Sequence, residues 1–257
     1  MKLASYQDGS RDGHLVVVSH DLTTAHYASG IATRLQQVLD DWNFLSPQLE
    51  DLSTSLNHGR ARHAFPFDAA LCLAPLPRAY QRVVAVAAAP ADGSLPLLQR
   101  SGNALFGPAA APALAGDAGL AVICGDVPAG ASADSALEGV RLLLLAFEFD
   151  AGAAFAPLAV TPDELGAAWR GGRAHVGIDS RREGHRERRD AAAMPQPFGE
   201  LIAALAARGA VGAGSIVGSA ALLHLPAGER LHLEATGADG HSIFGAIDTR
   251  KAGAQAS

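Results

Sequence analysis

Apolar residues in this chain come in short runs, and none approaches the ~20 consecutive apolar positions that a membrane-spanning helix requires. Among the longest are Arg141-Leu142-Leu143-Leu144-Leu145-Ala146-Phe147 and Leu120-Ala121-Val122-Ile123-Cys124. The second has the length and composition of a buried strand. The first follows Ser132 and Asp134, either of which suits a helix N-cap, so Ser132 to Ala146 reads as a helix that runs on into the apolar segment. With 49% apolar and 18% charged residues over 257 positions, the chain is globular in composition. That length fits one large domain, or a small domain joined to a larger one.

A formal net charge of −6 gives no general attraction to phosphate backbones or anionic lipid. Neither nucleic acid nor a membrane is expected as a partner. The start Met1-Lys2-Leu3-Ala4-Ser5-Tyr6 lacks the apolar core of a signal peptide, so a cytoplasmic location is expected. Cys72 and Cys124 have no metal-type spacing and sit among apolar neighbours, as small core residues do, although spacing alone leaves a disulfide open.

Asp8-Gly9 and Asp12-Gly13 mark turns before the β-rich run His14 to Ser19. Ile31, Leu35, Val38, Leu39 and Trp42 recur at helical spacing, and a second helix over Leu49, Leu52 and Leu56 is set off by Pro47. Pro75 to Tyr80 is an extended connector ahead of a strand at Val83–Val86. Between 87 and 117 Ala, Pro and Gly dominate, a composition with little commitment to secondary structure. Thr161-Pro162-Asp163-Glu164 opens a helix through Trp169, with Thr as cap and Pro at the first position. Residues 180–190 interleave five arginines with three acids around Gly184 and read as a solvated hairpin. A helix near 198–208 and strands at 215–218, 230–235 and 242–247 complete the pattern.

Gly212-Ala213-Gly214-Ser215-Ile216-Val217-Gly218 matches the spacing of a dinucleotide-binding loop, yet β-branched residues follow where that loop needs a helix. No H-x-x-x-H pair with an acidic third ligand occurs, and G-x-S-x-G is absent, so zinc and serine-nucleophile chemistry have no support.

The order of segments resembles the bacterial two-domain fumarylacetoacetate hydrolase family. The resemblance lies in Met1 to Ala4, Asp8 to Gly13, Leu15 to Ser19 and Ala74 to Gln81. It resumes at Phe106-Gly107-Pro108, Asp126-Val127-Pro128, Thr161 to Gly166, Gly212 to Ser219 and Gly240 to Asp248. It implies an α+β fold, with a small N-terminal α+β domain over 1–80 followed by a reduced, mixed β-roll over 81–257. Enzymes of this family cleave, decarboxylate or hydrate diketo acids with a hard divalent cation held between carboxylates.

Carried over by position, the family's Glu-x-Glu ligand pair falls on Asp117 and Gly119, and its third carboxylate falls on Glu148. One ligand is shortened and another has no side chain. Asp92 stands for the remaining ligand only in an alignment that puts Gln99 where the general-base His belongs; a better alignment deletes the whole segment. Asp150 lies where the family has a substrate-binding Lys, and Ala221 where it has a Thr. Asp117 and Glu148 are therefore expected to be a vestigial metal pair that behaves as rim acids, with no cofactor and at most weak Mg²⁺ or Ca²⁺ binding. The resemblance thus implies a non-hydrolytic, pseudoenzyme-like homologue acting by binding or assembly, as a homodimer or with an intact paralogue. The long apolar runs 141–147 and 215–223 motivate that partner. The alternative is an enzyme with altered, metal-independent chemistry (lyase, isomerase or decarboxylase), for which His224, His232 and His241 are the acid/base candidates.

Overall fold

The computed structural model describes residues 1–86, 95–110, 114–182, 184–228 and 230–249. Its strands, in chain order, begin with β1 (Lys2–Tyr6), β2 (His14–Val18), β3 (Thr24–Tyr27), β4 (Phe65–Pro66), β5 (Gln81–Ala85), β6 (Leu97–Arg100) and β7 (Leu105–Phe106). The central strands are β8 (Gly116–Cys124), β9 (Val140–Phe149), β10 (Gly152–Phe155) and β11 (Ala159–Val160). They are followed by β12 (Trp169–Arg170), β13 (Arg173–Ala174), β14 (Gly177–Arg182) and β15 (His185–Asp190), and then by β16 (Ser215–Gly218), β17 (Leu223–Leu225), β18 (Leu231–Thr236) and β19 (Ser242–Thr249). The helices are α1 (Leu35–Asp40), α2 (Trp42–Asn57), α3 (Ala133–Leu137) and α4 (Phe198–Ala206).

One large mixed sheet runs β4-β3-β2-β1-β11-β9-β8-β16-β5-β6, with β10 and β17 branching from β9 and β8 and β7 pairing β10. The first 80 residues supply four of its strands. They join the rest of the sheet where β1 pairs antiparallel with β11, Lys2 opposite Val160 and Leu3 opposite Ala159. A second sheet, β15-β14-β18-β19, lies against one face of the large sheet. It includes the expected hairpin around Gly184, whose φ of 85° a glycine adopts at no steric cost.

The large sheet is apolar on both faces. Leu143, Leu145 and Phe147 of β9 point into a core shared with α4 and the second sheet, while Leu142, Leu144 and Ala146 point into another under α1 and α2. Double burial removes the alternation of apolar and polar residues that marks a half-exposed strand. It also corrects the helix expected over 132–146. The Ser132 hydroxyl does cap a helix, accepting from the Ser135 amide at 3.3 Å, but α3 ends at Leu137. The chain turns at Gly139, where a β-carbon would lie 2.4 Å from the Val127 side chain, and continues as strand.

Two other helix boundaries differ from expectation. The break between α1 and α2 falls at Asp41, in a non-helical conformation (φ −132°, ψ 48°), whereas Pro47 lies inside α2 and forfeits one backbone hydrogen bond there. The segment after Thr161 forms 3₁₀ turns over Pro162–Ala168, interrupted by Gly166 at φ 50°, in place of a continuous α-helix. Cys72 and Cys124 are both free and buried, and burial pushes the Cys124 thiol up to about 12. No helix of the described residues is long and apolar enough to cross a membrane.

Within the runs 141–147 and 215–223, Leu142 to Leu145, Phe147 and Val217 are fully buried within the chain itself, whereas Ala221 is exposed and Arg141 and Leu222 are half-buried. The buried positions of these runs present no apolar face for a partner to cover.

Candidate functional site

Register brings the acidic candidates together. β8 and β9 pair antiparallel with Asp117 opposite Glu148 and Gly119 opposite Ala146. On the other side of β8, β16 pairs with β8 and then, in parallel, with β5, and β5 pairs with β6 so that Arg82 faces Arg100. Between these strands lies a cavity of about 160 Å³, lined by Arg100, Asp117, Gly119, Glu148, Ser219 and Ala221 among others.

Glu148 is largely buried, with 13% of its side chain exposed, and it forms an ion pair with Arg82, which is 1% exposed. Arg82 is fixed from a second direction, its Nε donating to the Ser101 carbonyl at 2.9 Å. Burial pushes the Glu148 carboxyl above its usual range, and Asp117 adds to the push, against the opposing pull of Arg82 and Arg100. The expectation of a rim acid is thus corrected for Glu148. Asp117 is half-exposed; its Oδ1 meets His224 Nδ1 at 2.8 Å across the β8–β17 ladder.

Position 119 is occupied from outside. A β-carbon on Gly119 would lie 2.8 Å from the Ser219 hydroxyl, which accepts from the Leu120 amide at 3.2 Å and donates to the Ala220 carbonyl at 3.0 Å. Arg100 also faces the cavity, and its buried Nε has no hydrogen-bond acceptor among the described residues.

Of the other sequence candidates, Ala221 lines the cavity, whereas Gln99 points away from it and accepts from Gln81 at 3.2 Å on the exposed face. Asp150 sits in the exposed turn after β9. Asp92 lies outside the described residues. His232 stands in the second sheet, 3.5 Å from Glu234 and 3.6 Å from Asp248. His241 lines a separate, wider cleft of about 570 Å³ with Lys2, His20 and Glu164. Sequence reasoning missed Arg82, Arg100 and Ser219. The signal available for Arg82 was a charge within an otherwise apolar run, since the strand starts at Gln81 and carries Arg82 into the interior.

The carboxylate-held divalent cation implied by this fold needs about six oxygen ligands in a hard, well-ordered shell. Here Glu148 is engaged by a guanidinium, Asp117 by an imidazole, and the Ser219 hydroxyl fills the place of a side chain at 119. No group of three or more His, Cys, Asp or Glu side chains among the described residues is arranged to hold a metal. These residues do not fit the ion.

Comparison with known proteins matches residues 1–78 to the fumarylacetoacetase N-terminal domain 2 family. Maleylpyruvate hydrolase from Sphingobium sp. SYK-6, solved with manganese(II) and pyruvate, superposes with a TM-score of 0.73 at 15% identity, over 97% of this chain and 99% of that one. Fumarylacetoacetate hydrolase from Exiguobacterium antarcticum gives 0.66 at 16% identity, covering 97% and 98%. The 5-carboxymethyl-2-hydroxymuconate delta-isomerase from Mycobacterium smegmatis gives 0.64 at 13%, also covering 97% and 98%. At these identities the likeness establishes the fold. No curated protein matches the chain.

Proposed function

The chain is a fumarylacetoacetate hydrolase-fold protein whose first 78 residues belong to the fumarylacetoacetase N-terminal domain family, and from that premise we propose that it is a non-hydrolytic homologue acting by binding or assembly. One observation carries this reading: the buried carboxylate at the expected metal position, Glu148, is already neutralised by a buried arginine. With Glu148 held by Arg82, and with Gln99 turned outward where one alignment would place a base, the described residues of this cavity do not offer the Lewis-acid site and base that C–C bond hydrolysis combines. The test is hydrolysis of acylpyruvates with added Mg²⁺ or Mn²⁺. No turnover is expected, and turnover abolished by EDTA would refute the reading.

Assembly, as a homodimer or with an intact paralogue, has support from a different surface. β6 ends the large sheet with its outer edge unpaired among the described residues, and it carries Leu98 at 42% exposure. An open edge beside exposed apolar side chains is a template for pairing with another chain. Light scattering at micromolar concentration tests it; a stable monomer that retains no paralogue would rule it out.

A second reading, metal-independent enzyme chemistry, draws on the His224–Asp117 pair beside the cavity. A carboxylate that holds Nδ1 leaves Nε2 available for proton transfer. That reading predicts a lyase, isomerase or decarboxylase activity that EDTA leaves untouched and His224→Ala removes.

A further inference from the structure

We propose that Arg82 is a built-in counter-cation: its guanidinium takes over, at Glu148, the charge-neutralising role of a divalent metal, so that the carboxylate pair Glu148–Asp117 is closed to metal in this chain and opens to it when Arg82 is removed. The inference rests on the reading of the site as one that holds no divalent cation.

Asp117 and Glu148 are directly opposite in an antiparallel ladder. Like charges so placed repel, and a carboxylate as enclosed as Glu148 is costly unless a positive charge or a proton accompanies it. A cation standing there lifts that cost without protonation of the carboxylate. Arg82 supplies it from β5, two strands away across β16 and β8, and has no exposed alternative: it is 1% exposed and tied to both Glu148 and the Ser101 carbonyl. A guanidinium stays charged at every accessible pH, so the neutralisation is permanent, whereas a metal ion comes and goes with its concentration. The same exchange accounts for position 119. Once the ion is replaced by a side chain from a neighbouring strand, no third carboxylate is needed, and the Ser219 hydroxyl occupies the space beside Gly119.

The experiment compares the full-length protein with Arg82→Met, Arg82→Lys and Arg82→Met/Glu148→Gln by thermal melting, each without metal and with about 10 mM Mn²⁺ or Ca²⁺. The parent protein and Arg82→Lys are expected to melt at the same temperature in both conditions. Arg82→Met is expected to melt lower without metal and to recover roughly 3–6 °C with it, the response to a ligand about tenfold above a dissociation constant of ~1 mM. The double variant is expected to fold and to show no response. A folded Arg82→Met that ignores metal, or a response of equal size in the double variant, overturns the proposal. So does an Arg82→Met that cannot be refolded with Ca²⁺ while the double variant folds. A metal-dependent rise in the parent protein would overturn the metal-free reading of the site as well, which separates the two failures.

Discussion

Removing the Glu148 carboxylate leaves the Arg82 guanidinium in a place with no solvent to receive it. Breaking one side of a buried pair typically costs about 3–5 kcal/mol, because the remaining charge is desolvated and unpaired. Glu148→Ala is therefore expected to lower stability by about 3 kcal/mol in urea denaturation, more than the loss of a rim acid would. Asp117→Ala, which breaks only an exposed pair with His224, is expected to cost less than ~1 kcal/mol. Equal, small effects from both substitutions would show that Glu148 is solvated after all. Both acids were legible as candidates because a resemblance placed them, and nothing in the sequence distinguished their environments. That distinction comes from β5, which carries Arg82 to the face where Glu148 points, a contact across 66 positions that no local pattern encodes.

β9 is a strand whose sequence reads equally well as the continuation of a helix. A run of apolar residues that is buried on both faces has neither the 3.6-residue nor the two-residue period, so propensity and an upstream cap decide, and here the cap belonged to the short α3 alone. β18 is legible from its alternation of buried and half-buried residues, whereas β2, buried on both faces like β9, and the hairpin at Gly184 are legible from the turn residues that bound them. Double burial makes a prediction that a helix would not. Leu143→Ala and Leu144→Ala face opposite cores, and each is expected to cost about 3 kcal/mol, measured by chemical denaturation. A loss confined to one of the two would mean that one face of β9 is open.

Among the described residues, Asp8, Asp12 and Asp21 in the N-terminal strands and turns, together with Asp163, have carboxyls held below their usual range. The hydroxyl and amide of Ser10, with Arg34, lower Asp8 to about 2; the Arg78 guanidinium holds Asp12 below its usual range; Ser19 and Thr23 do the same for Asp21. Below the ordinary value of about 3.8 the unfolded chain binds more protons than the folded one at these positions, so the stability they contribute is lost as pH falls through their folded values. Glu148, raised by burial, acts in the opposite sense over its own range. Melting temperature is expected to fall between about pH 4 and pH 2, and less steeply in Asp12→Asn/Asp21→Asn; identical slopes would remove these groups from the account. The pairing of β1 with β11 bears on how the chain comes to be folded at all. The hairpin of β1 and β2 is local in sequence, yet the outer edge of β1 is satisfied only by Ala159 and Val160, past the middle of the sequence. Until that pairing forms, an apolar edge stays unpaired. A pairing so distant in sequence is expected to close slowly, and the open edge is a place for misassembly until it does.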